Sequence, residues 1–217
     1  MSEPRIKAVL FDLDGTLTNT LPDIAGAMNR SLRHFGLPEW NVDDYRHLVG
    51  NGAVKLAERA VRERQELMPA VLDLYMRDYR DHSVVETAPY PGIPELLLQL
   101  RDQGVSLCVY SNKPDPDTQF IVRHYFPDTV FAVIQGSRPG LPLKPDPAVP
   151  LSIAAELGLS PAEFAYLGDS GVDKRCAASA GMRPFGVLWG FRDAAELTAG
   201  GAEALLTGPS DLLDFLN

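Results

Sequence analysis

The segment Ile6-Lys7-Ala8-Val9-Leu10-Phe11-Asp12-Leu13-Asp14-Gly15-Thr16 decides how the rest of the chain reads. Its first six residues are mostly apolar, with β-branched members, and read as a buried strand. The run stops at two carboxylates followed by Gly15-Thr16, which is turn chemistry. In parallel α/β sheets, ligands collect beyond the carboxyl ends of the strands. The residues just beyond each later strand are therefore the candidates for a shared site.

Downstream of this segment, Ile24, Met28, Leu32 and Phe35 recur at helical spacing over residues 22–35, and Gly36 suits the C-cap. Helical patterns continue over 53–67 and 69–81, so residues 17–87 read as almost wholly helical. Ala88-Pro89-Tyr90-Pro91-Gly92 then forms a rigid linker, because two prolines fix φ and the glycine permits a turn. Beyond it, a helix over 93–102 precedes strands at 105–110, 130–134, 164–167 and 185–189. Helices over 115–125, 147–157 and 172–180 alternate with them. Such alternation predicts a parallel sheet with helices on both faces. The expected fold is a Rossmann-like α/β core made of residues 1–16 and 88–217. An all-helical domain, residues 17–87, is inserted into it. No internal repeat is visible.

Length and charge narrow the function classes. The 217 residues suffice for one domain with a sizeable insertion. With 45% hydrophobic and 23% charged residues the chain is not disordered. A net charge of −9 without a dense Lys/Arg run argues against nucleic-acid partners and anionic membranes. An acidic chain that handles an anionic substrate needs local cations, which makes a metal ion a candidate. No stretch reaches the ~18 apolar residues of a membrane span. The apolar run Ala8–Phe11 is too short for a secretory signal, so a cytoplasmic location is expected. Cys108 and Cys176 fit that compartment as small buried hydrophobes. The four histidines (34, 47, 82 and 124) lack ligand spacing and read as surface or packing residues.

The strand ends carry the chemistry. After the first strand come Asp12 and Asp14. After the second come Ser111-Asn112-Lys113, and Lys144-Pro145 lies in the loop beyond the third. Gly168-Asp169-Ser170, with Asp173 nearby, follows the fourth. Residues two apart in an extended segment point the same way. Asp12 and Asp14 therefore repel unless a cation intervenes. With Asp169 they offer hard oxygen ligands suited to Mg²⁺. The structural alternatives are a turn at Asp12–Gly15, a turn at Ser111-Asn112, a solvated Lys144, a helix N-cap at Asp169 and an exposed acid at Asp173.

Asp12-x-Asp14-Gly15-Thr16-Leu17, Ser111-Asn112-Lys113, Lys144-Pro145 and Gly168-Asp169-Ser170-x-x-Asp173 resemble, in order, the four motifs of the haloacid dehalogenase superfamily. The helical insertion stands where a cap lies in that superfamily. Leu48-Val49-Gly50-Asn51-Gly52-Ala53, Pro89-Tyr90-Pro91-Gly92 and Trp189-Gly190-Phe191 look like its phosphoglycolate phosphatases. Thr18-Asn19-Thr20 departs from the Val-Asp-Ser common there.

The resemblance implies a Mg²⁺-dependent phosphatase for a small phosphorylated metabolite, with phosphoglycolate the leading candidate. Asp12 would be the nucleophile, forming an aspartyl-phosphate, and Asp14 the general acid and base. Asp12, Asp14 through its carbonyl, and Asp169 would hold the metal, with Asp173 a ligand or a support. Ser111, the Asn112 backbone and Thr16 would meet the phosphate, and Lys144 would neutralise its charge. Apart from the resemblance, Gly50-Asn51-Gly52 precedes a helix that begins near Ala53, so its backbone N–H groups are expected to read the leaving group, while Lys55 in the first turn either adds charge there or is simply solvated. A phosphomutase, a pyrophosphatase or a nucleotide phosphatase on the same fold are the alternatives. A receiver domain is shorter and has no cap, and a dehalogenase has no need of Asp14. The chain is expected to be a monomer or homodimer.

Overall fold

The computed structural model describes residues 4–216. Its strands are β1 (Ala8–Phe11), β2 (Thr18–Asn19), β3 (Ala88–Pro89), β4 (Ser106–Pro114), β5 (Val133–Ser137), β6 (Phe164–Gly168), β7 (Arg183–Val187) and β8 (Ala204–Leu206). Six of them form one sheet in the order β5-β4-β1-β6-β7-β8, with every neighbour parallel. The first strand in the chain is thus central, and its acids lie at the middle of the sheet edge.

Alternate residues of the central strands enter two apolar clusters. Val9, Phe11, Leu107, Val109, Ala165 and Leu167 face one, while Ala8, Leu10, Cys108, Tyr110, Phe164 and Tyr166 face the other. A sheet buried on both faces accounts for their unbroken apolar runs. Helices α1 (Leu21–His34), α2 (Tyr45–Leu48), α3 (Gly52–Ala60) and α4 (Met68–His82) all lie between β2 and β3. Helices α5 (Ile93–Asp102) and α6 (Asp115–Tyr125) cover one face, and α7 (Ala148–Glu156) and α8 (Gly171–Ala180) the other. The short α9 (Ala194–Ala199) precedes β8. Both cysteines are free and buried, as expected. No helix among the described residues is long and apolar enough to cross a membrane.

Several boundaries differ from the sequence reading. The strand expected at 130–134 forms three residues later, since Val130 stands 80% exposed after the turn closed by Thr129 N donating to the Phe126 carbonyl. The strand expected at 185–189 spans Arg183–Val187, because Trp189 leaves the sheet and its Nε1 donates to the Thr16 carbonyl at 3.0 Å. The helix expected over 53–67 ends at Ala60. Arg62 adopts φ 55°, which a right-handed helix does not accommodate, and a separate 3₁₀ turn forms at Gln65–Leu67. β8, only three residues long, and α9 were not foreseen.

The 88–92 linker is partly a strand. Thr18 pairs antiparallel with Pro89 and Asn19 with Ala88, so the two connections of the helical segment run side by side as one ribbon. Buried Asp23, in the first turn of α1, accepts the backbone N–H groups of Val85, Glu86 and Thr87 at 2.9–3.1 Å. The helical segment is thereby tied to itself just ahead of the ribbon.

Candidate active site

A cavity with about 710 Å³ of empty space, including its open mouth, separates the strand ends from α1, α3 and α4. Asp12, Asp14, Ser111, Asn112, Lys144, Asp169, Asp173 and Gly52 all line it, so most of the residues singled out in the sequence converge there.

The turn after β1 is built around one carbonyl. Leu13 O accepts from the amides of Thr16, Leu17 and Thr18 at 3.0–3.2 Å, and Gly15 supplies the positive φ of 83°. This geometry sends Asp12 and Asp14 to different partners. Lys144 Nζ donates to Asp12 Oδ1 at 2.9 Å and to Asp173 Oδ1 at 2.8 Å. Lys113 Nζ lies 2.9 Å from both oxygens of Asp14, and Thr20 Oγ1 donates to Asp14 Oδ1 at 2.7 Å. The Thr18-Asn19-Thr20 departure therefore touches the second acid directly. The Asp14 carboxylate is not free for a metal, and only its backbone carbonyl can serve there.

Asp169 follows β6 in a space where a Cβ does not fit. A Cβ on Gly15 would stand 2.1 Å from Asp169 Oδ2, and one on Gly190 2.3 Å from Asp169 Cβ. The backbone N–H of Phe191 donates to Asp169 Oδ2 at 2.8 Å, which fixes the carboxylate. Asp173 closes a capping box at the start of α8. Its Oδ2 accepts from Ser170 Oγ at 2.5 Å and from Ser170 N at 3.2 Å. Asp12, Asp169 and Asp173 each offer an oxygen within 4.8 Å of the others.

The charges in this cluster do not balance. Burial pushes Asp12 up to about 7, although Lys144 opposes the rise. Burial and the neighbouring Asp12 hold Asp169 well above its ordinary value. Asp173 resists its burial because Lys144 and Lys174 hold it low. Burial disfavours the Lys144 ammonium, but Asp12 and Asp173 more than offset that and raise its pKa. Two buried carboxylates short of positive charge, on hard oxygen donors, fit a divalent cation of the Mg²⁺ type. Asp173 has both oxygens engaged and fits better as the anchor of Lys144.

The Asn112 side chain ties two neighbouring loops to the end of β4. Its Oδ1 accepts from Lys144 N at 2.9 Å, and its Nδ2 donates to the Gly50 carbonyl at 3.2 Å. Ser111 Oγ accepts from Lys113 N at 3.2 Å. Two expected contacts lie elsewhere. Thr16 is fully buried and does not line the cavity. Asn51 also stays outside it, its Oδ1 accepting from Arg59 Nη2 at 2.7 Å, and Lys55 pairs with Glu58. The sequence reading passed over Tyr75, Tyr79 and Arg192, which also line the cavity.

Comparison with known proteins agrees with this geometry. The family model for haloacid dehalogenase-like hydrolase matches residues 9–187. A phosphoglycolate phosphatase of Pseudomonas putida is 32% identical over 96% of this chain and 80% of its own length. One of Chromobacterium violaceum is 32% identical over 100% of this chain and 99% of its own. The crystal structure of a protein assigned as a phosphoglycolate phosphatase, from Lactobacillus delbrueckii subsp. bulgaricus, superposes with a TM-score of 0.90 at 30% identity, over 98% of this chain and 99% of that one. The motifs at the strand ends, the parallel sheet and these full-length likenesses converge: the chain belongs to the haloacid dehalogenase-like hydrolases and is a phosphoric monoester hydrolase.

Proposed function

We propose that the protein hydrolyses phosphoglycolate, with Mg²⁺ as cofactor and a phosphorylated Asp12 as intermediate. The observation that carries the chemistry is the pairing of Asp12 with Lys144 beside Asp169, at the carboxyl end of the central strand. The likeness to phosphoglycolate phosphatases along the whole chain supports the substrate.

Asp12 attacks phosphorus, forming the Asp12–phosphate bond as the ester P–O bond breaks. Asp14 delivers its proton to the leaving alkoxide. In the second half, Asp14 takes a proton from water, which attacks phosphorus and releases Asp12 and inorganic phosphate. Lys144 restrains Asp12 and offsets charge on the phosphoryl oxygens, with Asp173 holding Lys144 in place. Ser111 meets the phosphate, and Asn112 fixes the Lys144 loop. Asp12, Asp169 and the Asp14 carbonyl would hold the Mg²⁺, which lowers the repulsion between nucleophile and phosphate. Residues 17–87 serve as a cap. Their two paired connections form a hinge, and the loop Gly50–Gly52 closes over the leaving group.

Phosphate release from a panel of phosphometabolites, with Mg²⁺ and with excess chelator, tests the reading. Phosphoglycolate should head the panel, and chelator should abolish turnover. Asp12→Asn should fold normally and retain under about 1% of activity, as expected for a lost nucleophile. Release that survives chelation, or an active Asp12→Asn protein, would defeat the mechanism.

A further inference from the structure

Three cationic side chains line the cavity among the described residues: Lys113, Lys144 and Arg192. The first two are committed to Asp14 and to Asp12 with Asp173. Arg192 is different. Its Nη2 donates to the Val49 carbonyl at 3.0 Å, and its Nε lies 3.3 Å from Glu196 Oε2. Its Nη1 is buried and has no hydrogen-bond partner. The side chain as a whole is 11% exposed. A guanidinium keeps its charge at any working pH, so a buried N–H without an acceptor costs free energy that nothing in the fold recovers.

The surroundings favour an anion. Val49, Gly50 and Gly52 line the same cavity as Arg192. Gly50 and Gly52 have φ of 105° and 84°, and neither carries a side chain that could cover the start of α3. Asn51, the N-cap residue, makes no side-chain cap, so the first amides of a nine-residue helix remain available. Arg192 follows Phe191, whose amide holds Asp169, so the guanidinium is anchored next to the reaction centre. It is also gripped from two sides, by the helical segment at Val49 and by α9 at Glu196. Such a group is oriented before any ligand arrives, which reduces the ordering cost of binding.

We infer that Arg192 is a specificity-determining residue, whose guanidinium takes a carboxylate on the leaving group while the core takes the phosphate. This rests on the proposed carboxylate-bearing substrate. A carboxylate separated from the phosphoester oxygen by one carbon supplies an acceptor for the guanidinium where it lines the cavity beside Gly50, and the open amides of α3 assist it. Lys144 and Lys113 are left to the reacting groups.

The test compares 2-phosphoglycolate with 2-hydroxyethyl phosphate, which is of similar length but ends in a neutral alcohol. The readout is the ratio of their kcat/KM values, from which the fraction of active enzyme cancels. Wild type should favour the carboxylate. Arg192→Gln should lower the ratio by about thirtyfold, the scale of a lost hydrogen bond to a charged group, mainly through KM for phosphoglycolate. Arg192→Lys should recover part of it and serves if the glutamine variant fails to fold. A wild-type preference that survives in both variants, or a parallel loss on both substrates, overturns the role of Arg192 and leaves the substrate standing. A wild type indifferent to the carboxylate overturns both.

Discussion

Lys113 Nζ stands 2.9 Å from each carboxylate oxygen of Asp14 and 4.7 Å from the centre of the Tyr79 ring. One ammonium thus sets the position of the second acid of the DxD pair. Burial disfavours the Lys113 charge, but Asp14 and its neighbours more than compensate and raise its pKa, so Lys113 keeps its proton. Lys113→Met should lower kcat roughly ten- to hundredfold, the scale of one charge-assisted contact. The loss should be larger for an alkyl phosphate than for an aryl phosphate, whose leaving group needs little protonation. Steady-state kinetics on the two esters checks this, and equal losses would make Lys113 merely structural.

The acid cluster gives stability a pH dependence. Folding raises Asp12 from 3.8 to about 7 and holds Asp169 well above 3.8. Between about pH 4 and 7 the metal-free folded chain keeps protons that the unfolded chain has released, so its stability falls as pH rises. Asp173, held low, has the opposite sign, and its contribution is lost only in stronger acid. Melting temperatures in chelator should therefore decline across this window, and Mg²⁺ should remove most of the decline. Asp12→Asn should reduce it in chelator, leaving the part due to Asp169. A melting temperature that climbs through the window without metal contradicts this electrostatic account.

Gly15→Ala tests the packing around Asp169. The new Cβ would stand 2.1 Å from Asp169 Oδ2, at a φ of 83° that alanine adopts at a cost of about 1–2 kcal/mol. Asp169 must give way and lose the Phe191 amide. The Mg²⁺ concentration for half-maximal activity should rise about 10–100-fold, as for lost partners of a metal ligand. A Mg²⁺ titration reads this directly, and an unchanged midpoint would separate Asp169 from metal binding.

Asp23→Ala removes the acceptor of three backbone amides between α4 and β3. The Thr87 amide is left buried without a partner, while Val85 and Glu86 lie at the surface, so the loss should be about 1–3 kcal/mol. Urea unfolding measures it, and Asp23→Asn should recover part of the loss. A change below about 0.5 kcal/mol, the scatter of ordinary surface substitutions, would show that water replaces the carboxylate.

The sequence discloses those parts of the site that depend on local pattern. The run before Asp12, and the turns at Gly15 and Gly168, are encoded by neighbours a few residues apart. The strand order then brings their acids together. Arg192 escapes such reading, although Trp189-Gly190-Phe191 directly before it draws attention. Its meaning depends on a carbonyl 143 residues away. Asn51 fails in the opposite sense. A polar residue in a glycine loop suggests a ligand contact, but Arg59, two turns along α3, claims its oxygen. The misplaced strand at 130–134 has a simpler cause. Val130 and Phe131 have strand-like side chains, but the register Cys108↔Val133 sets where pairing starts.

The central place of β1 also bears on how the protein is made. Among the strands of the sheet it leaves the ribosome first, yet Ala8 pairs with Ser106 on one side and Phe164 on the other. During synthesis, Ala-Val-Leu-Phe must therefore wait with one edge unpaired until Ser106 is made, and with the other until Phe164 is made, in a chain of 217 residues. In the interval the helical segment, in which α1 packs closely on α4, has partners of its own. The sheet forms late and from distant segments, which makes its folding slow and the waiting strand the point most exposed to mispairing and to chaperone capture.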